Sequence, residues 1–298
     1  MICTLCPRRC GAERTEEEGR GFCGMPAGIR VARAALHMWE EPPISGTHGS
    51  GTVFFSGCTL RCAYCQNGSI SAGGYGKAIT TAHLREIFET LIAQGAHNIN
   101  LVTPTHFLPW ILPALEPKLS VPVVYNCGGY ESVDTLRQLE GKVDIYLPDL
   151  KYADDALADT LSAAPDYFPV ARLAIREMVR QTGPCAFDGD GLLTRGVVIR
   201  HLILPGQVSQ AKAVMDWVAA EFGPGTVLFS LMSQYTPWGR SAEFPEIHRR
   251  LRAGEMRAAA EYMANLGLEG FTQERTSAQR EYTPPFDLTG VAGEGGAL

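Results

Sequence analysis

From Gly51 to about Leu266, short runs rich in β-branched and aromatic residues alternate with longer stretches whose apolar positions return every three or four residues. The short runs, at 52–56, 98–102, 121–125, 143–147, 197–204 and 226–231, read as strands. The first long stretch shows the helical pattern: Thr80 or Thr81 caps it, Leu84, Ile87, Phe88, Leu91 and Ile92 share one face, and Gly95 closes it. A later helix starts with Ser209 as its cap, carries Val214, Trp217, Val218 and Phe222 as a stripe, and stops at Gly223-Pro224. A third, over 255–266, sets Met256, Ala259, Ala260 and Met263 toward the core. Strands that alternate with helices predict a parallel sheet covered by helices, and six such strands suit a partial barrel.

Three parts follow from this pattern: a cysteine-rich segment over 1–45, the barrel over 46–275, and a surface tail over 276–298 that is rich in Pro and Gly. With 298 residues, 45% of them apolar, the chain can bury a substantial core. A formal net charge of -6 gives no general attraction for nucleic acid or for an anionic membrane. The N-terminus has no apolar signal core, and no stretch approaches the roughly 18 apolar residues of a membrane span. These features predict a cytoplasmic protein, and seven of its nine cysteines fall in the first 65 residues. In a reducing compartment that clustering points to metal ligation rather than disulfides.

The densest chemistry is Cys58-x3-Cys62-x2-Cys65, directly after the apolar run Val53-Phe54-Phe55. Three thiolates can hold three irons of a [4Fe-4S] cluster and leave the fourth iron open, whereas a structural zinc or cluster site calls for four ligands. The duller reading is a zinc loop completed by a remote His, or part of a disulfide set. The triplet, with the aromatic Tyr64 before its third cysteine, resembles the radical S-adenosylmethionine (SAM) superfamily. That resemblance implies that SAM chelates the open iron, that an electron from the cluster cleaves it to a 5'-deoxyadenosyl radical, and that Tyr64 packs near the adenine.

A second group, Cys3-x2-Cys6-x3-Cys10-x12-Cys23, lies in a glycine-rich segment with too few apolar residues to fold alone, so a metal is expected to organise it. Four cysteines suit tetrahedral zinc or a second iron-sulfur cluster, and the crowding of the first three within eight residues favours iron-sulfur.

Parallel barrels place their chemistry at the C-terminal ends of the strands. Those ends read Thr103-Pro104-Thr105-His106, Asn126-Cys127-Gly128-Gly129-Tyr130, Pro148-Asp149-Leu150-Lys151-Tyr152, Arg200-His201 and Met232-Ser233-Gln234-Tyr235. With the cysteine motifs, they resemble pyruvate formate-lyase-activating-enzyme-like proteins of the PflX type over nearly the whole chain. The resemblance implies an α/β fold, a partial (β/α)6 TIM-like barrel of the radical SAM type, preceded by the four-cysteine metal-binding segment. The first of these ends departs from the GGE-type stretch with which many relatives bind the SAM amino group.

By position, Thr103, Thr105, His106, Asn126, Asp149, Lys151, Arg200 and His201 are candidates to line the cofactor and substrate cavity. Arg200 or Lys151 offers a fixed charge for the SAM carboxylate. His106 could instead cap a helix, His201 could be a core histidine, and Asp149 and Lys151, on one side of an extended segment, could form a plain ion pair. Cys127 is a candidate hydrogen-atom donor or additional cluster ligand, against the alternative of a small buried apolar group. The expected partners are SAM, an electron donor such as flavodoxin or ferredoxin, and a small-molecule or partner-protein substrate. The competing class is an iron-sulfur electron-transfer or cluster-carrier protein, which has no use for SAM.

Overall fold

The computed structural model describes residues 2–272 and 284–292; the boundary expected at 275 and most of the tail over 276–298 lie outside them. The first 28 residues contain isolated bridges, Ile2 with Glu13 and Arg14 with Gly19. The chain then forms β1 (Ile29–His37), α1 (Pro42–Ser45), β2 (Ser50–Phe55), α2 (Gly68–Ser71), β3 (Lys77–Ile79) and α3 (Thr81–Ala93). It continues through β4 (Ile99–Val102), α4 (Leu108–Ala114), β5 (Val123–Cys127), α5 (Val133–Arg137), β6 (Ile145–Pro148), α6 (Asp155–Ser162) and α7 (Tyr167–Thr182). The last elements are β7 (Ala186–Phe187), β8 (Leu193–Leu202), α8 (Val208–Glu221), β9 (Leu228–Met232), α9 (Ala253–Leu266) and β10 (Gly270–Thr272).

The strands make one sheet in the order β10-β9-β8-β6-β5-β4-β2-β1-β3, with β7 attached to β8. From β2 to β10 every neighbouring pair is parallel, as helical connections between successive strands require. The alternation of side chains sorts each strand into two faces. The row Val53, Leu101, Tyr125, Tyr146 and Val197 is in register across five strands and joins the main core beneath the helices. The opposite face sends Val124, Ile145, Leu147, Val198 and Leu228 into a second core, with Ile44 of α1 inserted among them. That second core fills the lumen at the N-terminal ends of the strands, so the lumen is open to chemistry only toward their C-terminal ends.

Helix α3 forms as its pattern predicts: Thr80 accepts a hydrogen bond from the His83 amide at 3.1 Å, and Leu84, Ile87, Phe88 and Leu91 are buried. At α8 the cap differs from expectation, because the helix begins at Val208 with Gln207 as the N-cap, and Ser209 lies inside it. The sheet also begins before the boundary expected at residue 45. Ile29 and Val31 and, after an irregularity in register between Val31 and Arg33, Ala34 turn into the main core, and β1 pairs antiparallel with β2 from Val31 to His37. The described tail residues follow β1: Leu288 N donates to Ala32 O, Thr289 O accepts from Ala34 N, and the Phe286 ring lies 5.4 Å from that of Phe54.

Candidate active site

The three cysteines of the triplet lie in the loop that leaves β2 and are half-buried. Gly57, at φ +80°, starts the loop; a Cβ there would stand 2.3 Å from Met25 Cγ, so no other residue fits without displacing the N-terminal segment. Arg61 is held at φ +51°, a backbone conformation that costs about 1–3 kcal/mol in a non-glycine residue and that concentrates at functional sites.

Each sulfur of the triplet has its own hydrogen-bond donor: the Leu60 amide on Cys58 at 3.3 Å, the Ser162 hydroxyl on Cys62 at 3.0 Å, and the Ser71 hydroxyl on Cys65 at 3.4 Å. A serine hydroxyl has one proton, so with that proton on Cys62 Sγ the Tyr152 hydroxyl, 2.7 Å away, donates to Ser162. Burial, and then the charges of Cys62 and Cys65, push the Cys58 thiol up to about 12, and burial followed by Cys62 raises Cys65. Cys58 and Cys65, two thiols that resist becoming anions beside Cys62, form with it a set that a cationic metal group stabilises.

Among the described residues no three His, Cys, Asp or Glu side chains close around a point that could hold a single metal ion. A [4Fe-4S] cluster, whose cysteines bond to separate irons, does not require them to do so. The donor set, its hydrogen bonds and its mutual repulsion fit such a cluster.

Beside the triplet, the lumen is polar. Arg200 of β8 donates from Nε to Asp149 Oδ1 at 2.9 Å, from Nη1 to Glu40 Oε2 at 3.2 Å, and from Nη2 to Asn126 Oδ1 at 2.7 Å. Asp149 also receives the Lys151 ammonium at 2.5 Å, and Asn100 Nδ2 donates to Glu40 Oε1 at 3.1 Å. Burial raises the Asp149 carboxyl, but Arg200 and Lys151 outweigh it and hold the group below the usual carboxylate range. Glu40 and Glu41 go the other way, because burial there exceeds the help from Arg200. Asn100 Oδ1, buried beside this network, has no hydrogen-bond partner among the described residues, and the Ser230 hydroxyl eases the burial of the Glu41 carboxyl.

Lys151 connects the network to the cysteine loop. Burial lowers its ammonium, yet Asp149 and then Cys62 raise it further, so it stays charged. A Cβ on Gly128 would lie 3.6 Å from Lys151 Cε and 2.7 Å from Leu60 Cδ1, which puts the lysine stem beside the loop. Gly129, at φ +78°, lets the chain pass Asp149, whose carbonyl a Cβ would meet at 2.1 Å.

The structure thus gathers Cys58, Cys62, Cys65, Asn126, Asp149, Lys151 and Arg200 around one end of the lumen. Tyr64 is buried beside them with its ring 5.9 Å from that of Tyr235. Thr103, just after β4, is at φ +59° and donates its amide to Asn126 O at 2.8 Å.

Four candidates face elsewhere. Cys127 falls on the Tyr125 side of β5, away from Asn126, and its buried thiol belongs to the core beneath the helices. It is therefore not positioned to donate a hydrogen atom into the lumen or to bind the cluster. Thr105 is on that same side, where it donates to Glu131 Oε2 at 2.8 Å and accepts from Tyr125 at 2.9 Å. His201 is one residue out of phase with Arg200 and spends Nδ1 on Leu150 O at 2.6 Å. His106 supports the loop through Nε2 on Ser56 O at 2.6 Å. Burial lowers both histidines to about 4, so both are neutral at pH 7.

The residues that sequence reasoning missed are Glu40, Glu41, Glu131, Arg8 and Ser162. For the first two the available signal was a pair of acids between an alternating strand and Pro42-Pro43.

In the N-terminal segment Cys3, Cys6 and Cys23 are buried and Cys10 is exposed. Burial raises Cys6 to about 12, with smaller contributions from Glu131, Cys3 and Cys23, and burial raises Cys23, with smaller contributions from Cys3 and Cys10. The four thiols are thus electrostatic neighbours. A pocket of about 490 Å3 beside the first residues of β9 and β10, lined by Pro42, Pro43, Phe187, Leu192 and Phe271, contains none of the cysteines and is not the site.

A profile of the radical SAM superfamily matches residues 52–217, more than half of the chain. A protein of Methanocaldococcus jannaschii described as uncharacterized is 29% identical over 277 residues, 90% of this chain and 75% of that one. Among solved structures, Streptococcus suis SuiB bound to the precursor peptide SuiA aligns with a TM-score of 0.50 at 15% identity, over 74% of this chain and 48% of its own. A radical SAM methyltransferase from Sphaerobacter thermophilus aligns with a TM-score of 0.50 at 14% identity, over 75% of this chain and 66% of its own. At these identities the structures establish a shared fold, and this chain spans about half the length of SuiB. The superfamily match, the triplet on the loop after β2 and the parallel sheet agree: the chain belongs to the radical SAM superfamily, whose chemistry runs on a [4Fe-4S] cluster and SAM.

Proposed function

We propose that this protein is a radical SAM enzyme in which Cys58, Cys62 and Cys65 bind the cluster and the lumen beside them binds SAM and a substrate. The observation that carries this reading is the separate hydrogen-bond donor on each sulfur. When bound, the cluster and SAM supply reductive cleavage of the sulfonium and, from it, abstraction of a hydrogen atom. The protein's own tasks are to exclude water, to hold SAM, and to set one hydrogen of the substrate within reach.

For the SAM carboxylate, Lys151 is the better partner. Arg200 already has Asp149, Glu40 and Asn126, whereas the Lys151 ammonium, with three donors, pairs with Asp149 and lies toward the triplet. Asn126, Asp149, Arg200 and Thr103 line the cavity, and Tyr64 packs near the adenine. Cys3, Cys6, Cys10 and Cys23 hold a second iron-sulfur cluster, whose cysteines bond to separate irons; among the described residues no three of them converge as a single zinc ion requires. The electron donor is a flavodoxin or ferredoxin, and the setting is cytoplasmic, which nine free cysteines favour. Among the described residues no helix is long and apolar enough to cross a membrane.

Between a glycyl-radical activase-like reaction on a partner protein and a reaction on a small molecule, the polar lumen and the unpartnered acceptor Asn100 Oδ1 favour a small polar substrate that brings a hydrogen-bond donor. The test is anaerobic reconstitution with iron and sulfide, followed by SAM and a strong reductant. Formation of 5'-deoxyadenosine that is lost in Cys62→Ser supports the reading. A reconstituted protein that binds SAM and never cleaves it, with any candidate substrate, defeats it, and one that does not bind SAM points to the electron-carrier class.

A further inference from the structure

Arg8 lies between Cys6 and Cys10, and its guanidinium reaches out of the four-cysteine segment to three backbone carbonyls. Nε donates to Thr59 O at 2.9 Å, inside the triplet loop, and Nη2 to Ser162 O at 2.8 Å, while Nη1 donates to Ala163 O. The last two carbonyls are at the C-terminal end of α6, where helix carbonyls lack intrahelical partners and a positive charge meets the negative end of the helix dipole. Ala163, the C-cap, is in the left-handed conformation at φ +48°, so the turn that Arg8 holds is one an alanine does not adopt readily. The same helix end receives the Ala63 amide on Leu161 O at 2.8 Å, and its last residue, Ser162, places its hydroxyl on Cys62 Sγ at 3.0 Å.

The contact is braced from both sides of the loop. Phe22 lies under Arg8, with 3.9 Å from the guanidinium carbon to the ring centroid, and Arg61 from the triplet loop stands 5.6 Å from the same ring. Ahead of the loop, Arg14 donates to His106 O, and His106 bonds Ser56 O.

We propose that Arg8 is a positioning residue for the cluster. It fixes the end of α6 so that Ser162 donates to Cys62 Sγ, and through that hydrogen bond the four-cysteine segment sets the reduction potential of the cluster. The inference rests on the reading of Cys62 as a cluster ligand. A hydrogen bond to a ligating sulfur favours the more negative, reduced cluster, so its loss makes the cluster harder to reduce.

The test is a redox titration of the reconstituted full chain, followed by the spin signal of the reduced cluster, for wild type, Ser162→Ala, Arg8→Ala and the double variant. Ser162→Ala is expected to move the potential to more negative values, Arg8→Ala to move it in the same direction, and the double variant to match the larger single shift. An unchanged potential in Arg8→Ala, or shifts that simply add, overturns the proposal. Should Arg8→Ala fail to fold, Arg8→Lys keeps the charge at the helix end but cannot span three carbonyls. It is read in the same way: a negative shift supports the proposal and no shift defeats it. A wild-type protein that takes up no [4Fe-4S] cluster at the triplet would sink the functional reading itself, and that is seen before any variant is compared.

Discussion

Glu131 gives the most quantitative test of how the layer behind the lumen is built. Its carboxyl is 2% exposed, and burial, against hydrogen bonds led by the one from Thr105, raises its pKa from 4.5 to about 8. In the folded chain this acid keeps its proton over a range in which the unfolded chain has released it. Its contribution to stability is therefore intact below pH 4.5, falls as the pH rises toward 8, and levels off above that. At about 1.4 kcal/mol per pH unit the loss reaches roughly 3 kcal/mol at pH 7 and roughly 4 kcal/mol at pH 8, where the folded-state acid is half ionised. Glu131→Gln removes the titration and keeps an oxygen for Thr105, but brings amide hydrogens into a site built for acceptors, at a cost of about 1 kcal/mol. The variant should match wild type near pH 5 and exceed it by about 2 kcal/mol at pH 7, a rise of roughly 4–8 °C in Tm. Thermal unfolding of both proteins at equal metal content, from pH 5 to pH 8, measures this. A difference that does not change with pH, or a variant that is the weaker one at pH 8, would refute the reasoning.

Arg200→Met strands Asp149 and Glu40 in the lumen and should cost about 3–5 kcal/mol, part of which Glu40→Gln recovers in the double variant; denaturant titration shows whether the two changes couple. Lys151→Met should weaken SAM binding by roughly tenfold or more, as expected when a charged hydrogen bond is lost, and calorimetry on the reconstituted protein reads it directly. Cys127→Ala should leave SAM cleavage at the wild-type rate, because the thiol faces the helices; a collapse of turnover in a folded, cluster-loaded variant would restore the hydrogen-donor role.

The chain announced its chemistry through spacing that acts over a few residues. Cys58, Cys62 and Cys65 come together because eight residues of one loop hold them, and the α3 stripe and the apolar strands declare themselves by local period. What the order of residues does not carry is which face of each strand becomes the lumen. Asn126 and Cys127, like Arg200 and His201, are adjacent in sequence and point in opposite directions, and only the closing of the sheet makes one side polar cavity and the other core. Strand β1 is not legible from period alone, because an irregularity in register between Val31 and Arg33 breaks its alternation and its position ahead of the triplet groups it with the metal segment. Arg8 and Ser162 are 154 residues apart, and no local pattern relates them; folding brings the end of α6 to the guanidinium, and with it a hydroxyl to the sulfur of Cys62. Reactive groups set close along the backbone are readable from sequence, whereas their protonation, their donors and the direction they face depend on contacts between distant segments that exist only once the core has packed.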